Sequence, residues 1–345
     1  MTSPHVASLR EKKPDTELRG GSVQSVDVAD LPVLSRMSLR RLVLEPGTIR
    51  EPHWHTNAHE LTYCLRGSAI VTIFENGSQY HRFEITAGQM FFVPLGSLHT
   101  IEVAGDEVAE FIAMLTHERP EEFGMSGSLA VMTDAVIGNT FDLPSAAVAA
   151  RNHEIRDGVI QDLGQGPEPT LDDRRTDRYK FDVEAMSAPV RSSDGLAKTA
   201  RSQFWPALQD AAMYSLKIRD NGMREPHWHP GTAEMGYIAQ GTGRMTILDP
   251  DGTFDTFELH VGDVYFIPRS YPHQIEDIGD GDIHFLIFFD QPMPADIGYR
   301  ASMTALRPEV VAAAFGVPVE QMPPLPFTAS DPLIVGRPNP VDPTS

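Results

Sequence analysis

Cysteine is almost absent from this chain of 345 residues, which carries only Cys64 and therefore no internal disulfide. Cys64 lies in the apolar run Leu61-Thr-Tyr-Cys-Leu65, which predicts a buried strand. A thiol in such a strand is typical of structural packing rather than of nucleophilic catalysis. Because nothing indicates a disulfide framework, we expect a reducing compartment and a cytoplasmic protein.

Positive charge is also scarce, since 28 lysines and arginines face 48 aspartates and glutamates, for a formal net charge of −20. This charge disfavours binding to nucleic acid and to anionic membrane surfaces. Long apolar runs are missing, so we expect no membrane span. The segment from Met1 to Gly21 lacks the apolar core of a secretory signal. The expected partners are therefore small molecules or other copies of the chain.

What the sequence does contain is one segment written twice. Glu51-Pro-His-Trp-His55 recurs unchanged as Glu225-Pro-His-Trp-His229, at a constant offset in numbering (227 − 53 = 174). The same offset relates other polar residues downstream, namely Glu60 to Glu234 and His99 to His273. A repeat of this length predicts a duplicated domain, and two domains also suit the length of the chain.

The expected domain organisation follows from this repeat and from composition. A polar, Gly- and Pro-rich stretch around Gly164-Gln-Gly-Pro-Glu-Pro169 predicts a linker, and seven prolines after Met322 predict an extended or disordered tail. We therefore expect five segments: an N-terminal tail over 1–20, a domain over 21–150, a linker over 151–190, a domain over 191–322 and a Pro-rich tail over 323–345.

Short runs of β-forming residues, such as Ala69–Phe74 and Met90–Val93, dominate both halves. Turn signals at Glu75-Asn-Gly77 and Asp249-Pro-Asp-Gly252 predict hairpins between them. Many short strands at this spacing predict an all-β sandwich or barrel. Helical pattern is confined to one segment after each barrel, about Thr133–Phe141 and Pro308–Phe315.

The repeated histidines predict a metal site in each half. His53 and His55 point to one face of a strand because side chains alternate, and His99 comes from another strand. Glu60 reaches the same face only if Thr56-Asn57 makes a turn or bulge. Three neutral nitrogens and one carboxylate suit Mn, Fe, Co, Ni or Zn, and the spacing does not choose among them. The second half repeats the set as His227, His229, Glu234 and His273.

These residues resemble the two motifs of the cupin family, Gly47-x5-His53-x-His55-x4-Glu60-x6-Gly67 and Gly88-x5-Pro94-x-Gly96-x2-His99. Roughly from Gly21 to Val319, the two halves resemble bicupins of the oxalate decarboxylase type. The resemblance implies two cupin barrels (double-stranded β-helix or jelly-roll) in tandem, each with a short helical extension. It also implies manganese at both sites, with iron, cobalt, nickel or zinc as alternatives.

The resemblance implies a metal-dependent lyase that acts on a small carboxylate, with oxalate decarboxylation to formate and carbon dioxide as the leading reaction. One alternative is a dioxygenase, oxidase or isomerase of another small organic acid. Another is a non-catalytic storage or ligand-binding bicupin, which the intact ligands in both halves disfavour because storage needs no metal.

The family also implies roles beyond the metal ligands. An arginine three residues before the first metal histidine binds a substrate carboxylate in the decarboxylases, and here these positions hold Arg50 and Arg224. Strict alternation opposes this placement, so Pro52 and its repeat must distort the strand. The decarboxylase lid glutamate, an acid/base, aligns with Glu122 or with Glu121 beside it. A second buried glutamate of the family is replaced here by Ile287.

Assembly is the last expectation. Trp54 and Trp228 at the outer positions of the repeated strand, together with the Pro-rich tail, favour contacts between copies. We expect a closed homo-oligomer, a trimer or a hexamer.

Overall fold

The structure is a computed structural model that describes residues 3–155, 159–164, 176–326, 328 and 330–341. The chain forms two compact units. The first unit holds Lys12–Asp27 and Arg36–Asp182, and the second holds Met1–Glu11, Val28–Ser35 and Val183–Ser345. Parts of the expected N-terminal tail, linker and Pro-rich tail lie outside the described residues.

Strands supply nearly all of the regular structure in the described residues. Through Asp182 they are β1 Val6–Ser8, β2 Thr16–Leu18, β3 Gly21–Val26, β4 Ser38–Leu44, β5 Thr48–His55, β6 Glu60–Arg66, β7 Ser68–Phe74, β8 Tyr80–Thr86, β9 Met90–Val93, β10 Leu98–Val103, β11 Ala109–Leu115, β12 Glu122–Gly124, β13 Ile160–Asp162 and β14 Lys180–Phe181. The remainder are β15 Val190–Arg191, β16 Gly195–Ala200, β17 Ala212–Ile218, β18 Gly222–Trp228, β19 Glu234–Gln240, β20 Thr242–Leu248, β21 Phe254–His260, β22 Asp263–Ile267, β23 His273–Asp277, β24 Ile283–Phe289, β25 Ile297–Gly298 and β26 Ile334–Gly336.

The first unit is built from two antiparallel sheets. One sheet has the strand order β14-β9-β6-β11-β4-β3-β2, and the other has the order β12-β5-β10-β7-β8, with β13 also paired to β5. Inward positions of the second sheet, such as Val71, Ile73, Phe83 and Ile85, are at most 2% exposed. Alternation of side chains therefore fills the space between the sheets with an apolar core.

The second unit repeats this plan. Its sheets have the orders β1-β22-β19-β24-β17-β16-β15 and β21-β20-β23-β18-β25, with β26 also paired to β18. Met245, Ile247 and Leu259 form part of its core and are fully buried. They are the repeat counterparts of Val71, Ile73 and Ile85, so the repeat preserves the packing as well as the motifs. The expectation of two all-β barrels in tandem is confirmed.

Short helices follow each barrel. They are α1 Met125–Ala130, α2 Asp134–Thr140, α3 Tyr299–Thr304 and α4 Pro308–Phe315. Gly316 ends α4 in a left-handed conformation with φ of 68°, as expected of a glycine after a helix. Both expected helical segments and both expected hairpin turns are present, whereas α1 and α3 were not predicted. No described helix has the length and apolarity that a membrane crossing requires.

Three segments differ from the sequence-based expectation, because each adds strands to a barrel. Val6–Ser8 pairs antiparallel with β22, so the described part of residues 1–20 is not a free tail. Within 151–190, Ile160–Asp162 pairs with β5 and Lys180–Phe181 with β9. Ile334–Gly336 of the Pro-rich tail pairs with β18. Backbone pairing depends weakly on side-chain pattern, which is why composition alone did not reveal these strands.

Cys64 is fully buried in β6, as expected, and burial raises the pKa of its thiol to about 12. Trp54 packs on Phe123 at 5.6 Å between ring centroids, and Trp228 packs on Tyr299 at 5.7 Å. Both tryptophans therefore cover a neighbouring segment of their own unit.

Candidate metal centres

A bulge in β5 places the arginine and both histidines of this strand on the inner face of the first barrel. His99 of β10 lies opposite His53, but Ile101 lies opposite Arg50, so the register shifts by one residue around Pro52. Proline has no N–H for the ladder, which suits it to such a position. The shift turns Arg50 inward beside the histidines, as the family resemblance required. β18 contains the same bulge, with Arg224 opposite Ile275 and His227 opposite His273.

The four predicted ligands of site one converge. One ligand atom from each of His53, His55, Glu60 and His99 lies within 4.8 Å of the others, and all four residues are buried. Glu60 Oε2 lies 2.9 Å from His55 Nε2 and 3.3 Å from His99 Nε2. A turn over residues 56–59 separates β5 from β6 and brings Glu60 to the cluster.

The hydrogen bonds of site one fit a resident metal. His53 Nδ1 donates to the Glu51 carbonyl at 2.7 Å and His99 Nδ1 to the Ser97 carbonyl at 3.1 Å, which directs both Nε2 atoms at the cluster. His99 Nε2 is buried and makes no hydrogen bond to any described residue. Burial, and next the Arg50 charge, lower the pKa of His53 well below its usual value, so this ring is neutral as a ligand must be.

Site two has the same geometry. His227, His229, Glu234 and His273 are buried and offer ligand atoms within 4.8 Å of one another. Glu234 Oε2 lies 2.7 Å from His229 Nε2 and 3.5 Å from His273 Nε2. His273 Nε2 is also buried without a hydrogen bond to the described part of the chain. Both sites therefore fit a divalent transition metal held by three nitrogens and one oxygen.

Each metal glutamate receives a second hydrogen bond, but the donors differ. Thr62 Oγ1 donates to Glu60 Oε1 at 2.7 Å, and Tyr265 Oη donates to Glu234 Oε1 at 2.6 Å. At the position that repeats Thr62 the second unit has Gly236, where an added Cβ would lie 2.1 Å from the Tyr265 ring. The glycine therefore makes room for the tyrosine. These donors were missed from the sequence, although aligning the halves at their constant offset reveals the exchange.

Glu122 extends from β12 into site one. Its Oε1 accepts a hydrogen bond from Arg50 Nη2 at 2.6 Å, and its Oε2 pairs with Arg40 and lies 3.6 Å from His55 Nδ1. Burial raises the pKa of Glu122, but the charges of Arg50 and Arg40 outweigh it and lower the pKa to about 2. Glu122 is therefore a carboxylate, held between two arginines at the edge of the cluster.

Glu121 has a different position. Its side chain is exposed, and its Oε2 lies 3.4 Å from Thr56 Oγ1. Glu122 opens β12 and reaches the metal ligands, whereas Glu121 just before the strand is exposed and turned away from them. Of the two glutamates that aligned with the lid residue, only Glu122 contacts the site.

Site two has a shorter acid in place of Glu122, and one arginine fewer beside it. Arg224 Nη2 donates to Asp296 Oδ1 at 2.7 Å, and Asp296 lies 3.3 Å from His229 Nδ1. Asp296 is the repeat counterpart of Glu122 (296 − 122 = 174), and Tyr214 is that of Arg40 (214 − 40 = 174). Asp296 was missed because its flanking sequence lacks a motif. Ile287 lines the small cavity beside this site, whose volume is about 20 Å³, room for about one water molecule.

Known proteins share this architecture. The cupin family model matches residues 7–149 and 187–322. Oxalate decarboxylase of Bacillus subtilis is 29% identical over 324 residues, which covers 90% of this chain and 82% of the relative. An oxalate decarboxylase of Arthroderma benhamiae is 24% identical over 332 residues, covering 87% and 77%.

A solved structure of one of these relatives is similar to this chain as well. One structure of the Bacillus subtilis oxalate decarboxylase, concerned with its Mn(II) centres, matches with a TM-score of 0.86 and 25% identity. It covers 97% of this chain and 89% of that chain. The chain belongs to the cupin family, and it is a bicupin of the oxalate decarboxylase type with two His₃Glu sites.

Proposed function

We propose that this bicupin is a manganese-dependent enzyme of a small carboxylate, and that its reaction is the decarboxylation of oxalate to formate and carbon dioxide. The observation that carries the proposal is the contact between Arg50 and Glu122. Arg50 is 4% exposed and donates at 2.6 Å to a carboxylate 3.6 Å from a metal histidine. The edge of site one therefore already binds one carboxylate through a guanidinium, the natural planar partner for this group.

Manganese is proposed because the Bacillus subtilis relative has Mn(II) centres and because the mixed nitrogen and oxygen ligands accept this metal. When bound, the metal supplies Lewis acidity and redox chemistry. Iron, cobalt, nickel and zinc are the alternatives for the same ligands.

Arg50 and Glu122 have separate roles in this proposal. Arg50 orients one carboxylate of the substrate. Glu122, an anion because its pKa is lowered to about 2, accepts the acidic proton of the hydrogen oxalate monoanion. It returns that proton to the carbon that becomes formate after the carbon–carbon bond breaks. For this exchange Glu122 must leave its ion pairs with Arg50 and Arg40.

Site one is the proposed seat of turnover. In site two the acid is the shorter Asp296, and Ile287 stands where the family has a glutamate. Arg224 donates to that acid at 2.7 Å. We assign site two mainly to stability.

The test is a product assay on native protein loaded with each of the five metals in turn. Manganese-loaded protein should convert oxalate to equal amounts of formate and carbon dioxide, and Glu60→Ala should produce neither. Hydrogen peroxide from oxalate, or turnover of another small acid without formate, would support the oxidase, dioxygenase or isomerase alternative instead. Full metal loading with no product from any acid would favour a storage or ligand-binding role.

Self-association is proposed from exposed apolar side chains of the helical extensions. Val136 and Phe141 at α2 are 51% and 62% exposed, and their repeat counterparts Val310 and Phe315 at α4 are 42% and 53% exposed. Surfaces of this kind are typical of contacts between copies. We propose that the protein forms a trimer or a hexamer and that it lies in the cytoplasm. Light scattering at micromolar concentration that shows only monomer would contradict the proposed oligomer.

A further inference from the structure

The second unit holds a third group of potential ligands, which is separate from the two cupin sites and includes His5, next to the N-terminal strand β1. His5, Asp249 and Asp255 each offer a ligand atom, and these atoms lie within 4.8 Å of one another. His5 is 2% exposed, and its ring is fixed by a hydrogen bond from Nδ1 to the Phe266 carbonyl at 2.9 Å. That bond leaves Nε2 to face the acids.

His5 Nε2 has no hydrogen bond to any residue that the structure describes, and its nearest acidic oxygen, Asp249 Oδ1, is 3.9 Å away. A separation of 3.9 Å is too long for a direct hydrogen bond. It is close to the roughly 3.3 Å between two ligand atoms of a tetrahedral zinc ion, given bonds of about 2.0 Å. A ring nitrogen of a buried histidine, directed at two carboxylates without touching them, has the geometry of an ion-sized gap.

The first unit provides an internal control, because the same positions there are satisfied without an ion. The counterparts of Asp249 and Asp255 are Glu75 and His81, and Tyr179 repeats His5 (179 − 5 = 174). Tyr179 donates to Glu75, and His81 Nδ1 lies 2.8 Å from Asp177. Arg178 Nη1 lies 3.8 Å from Glu75, so a cation stands beside this group.

The second unit lacks these partners. The counterpart of Arg178 is Pro4, which has neither a charge nor a donor. Within the described residues neither Asp249 nor Asp255 pairs with a lysine or an arginine, and the Asp255 carboxylate has only a hydrogen bond from Ser3 Oγ at 3.3 Å. Two carboxylates thus face one imidazole without a compensating cation.

We propose that His5, Asp249 and Asp255 form a third metal site, which binds a divalent transition ion such as Zn²⁺ and is structural rather than catalytic. One imidazole and two carboxylates supply three ligands, and water completes a four-coordinate shell. The ion links β1 to the β20–β21 hairpin, which carries both aspartates. It thereby strengthens a strand that pairs with β22 over only three residues, Val6–Ser8.

Zinc stoichiometry tests the site. Protein without a histidine tag is stripped with a chelator, saturated with Zn²⁺ and dialysed, and bound zinc is measured per chain. His5→Gln and Asp255→Ala should each hold one ion fewer than the wild type. The matched control, His81→Gln in the first unit, should hold as many as the wild type. Because the result is a difference, it does not depend on which metal the cupin sites prefer or on whether the enzyme decarboxylates oxalate.

Proteolysis supplies a second readout that a merely structural histidine would not give. Zinc should protect the segment that ends at Glu11 from cleavage in the wild type and in His81→Gln, but not in His5→Gln or Asp255→Ala. If His5→Gln is misfolded, Asp255→Ala decides alone, since Asp255 is only partly buried. Equal zinc content in the wild type and both variants, or protection that does not depend on zinc, overturns the proposal.

Discussion

The two cupin sites share their ligands and differ in the side chain that supports the metal glutamate and in the acid at the edge of the site. In site one a threonine supports the metal glutamate and two arginines hold Glu122. In site two a tyrosine supports the glutamate and one arginine holds Asp296. Metal affinity depends on the shared ligands, three histidines and one glutamate. Reactivity depends on the acid at the edge of the site and on its charged neighbours. Duplication therefore preserved binding and allowed the chemistry of the halves to diverge.

Removal of a metal ligand should produce the largest difference between the sites. Glu60→Ala should lose about one metal ion per chain and abolish turnover, because site one loses its only anionic ligand. Glu234→Ala should also lose about one ion but retain most of the activity in protein that stays folded. Metal analysis paired with the product assay measures both effects. Loss of activity only in Glu234→Ala would reverse the assignment of the sites.

Substitution of Glu122, the proposed proton carrier, should have the next largest effect on activity. Glu122→Gln should lower kcat by about 10² to 10⁴ while the metal content stays unchanged, because the amide cannot carry the proton. Glu121→Gln is the matched control and should change kcat little, since its side chain is exposed and turned away. Asp296→Asn should also have a small effect. A drop in kcat confined to Glu121→Gln would contradict the orientation of β12.

Acid should weaken the stabilisation that Glu122 gives to the metal-free protein. Its pKa is lowered to about 2 in the fold, below the usual value near 4.3. The stabilisation is therefore complete above the unfolded pKa and is lost as the pH falls through the folded value. Its upper limit is about 3 kcal/mol. The difference in unfolding free energy between wild type and Glu122→Gln, measured in urea, should shrink as the pH falls from about 4.5 toward 2. A pH-independent difference would mean that charge is not the cause.

The exchanged hydrogen-bond donors offer a sharper comparison of the metal sites. Tyr265→Phe should weaken metal binding at site two alone, and Thr62→Val should weaken it at site one alone, each by about 10- to 100-fold, because each removes a partner of the ligating carboxylate. Competition with a chelator measures the two affinities. Each variant serves as the control for the other, and an equal effect on both sites would show that the donors do not act locally.

Replacement of the arginines should produce the smallest effect. Arg50→Lys keeps the charge but loses the planar fork, so KM for oxalate should rise by about tenfold with a smaller change in kcat. Arg224→Lys should leave KM close to the wild-type value. Steady-state kinetics decides the point, and a change in kcat alone would indicate that Arg50 acts through Glu122 rather than on the substrate.

The sequence alone determined the duplication, the all-β class and all eight candidate metal ligands. It could do so because a strand has a fixed period of two and because the ligand set recurs at one offset. His53 and His55 must share a face whatever surrounds them. The hairpin turns and the helices α2 and α4 were also predictable, since their signals lie within a few residues of one another.

Only the tertiary structure decided which other side chains reach the sites. Arg50 faces inward because of the bulge at Pro52, and Glu122 rather than Glu121 does so because of how β12 pairs with β5. The strand pairing of Val6–Ser8 and Ile334–Gly336 is likewise a matter of long-range backbone hydrogen bonds. Local pattern specifies which face a residue takes along its own strand, but register and pairing between distant segments specify what that face meets.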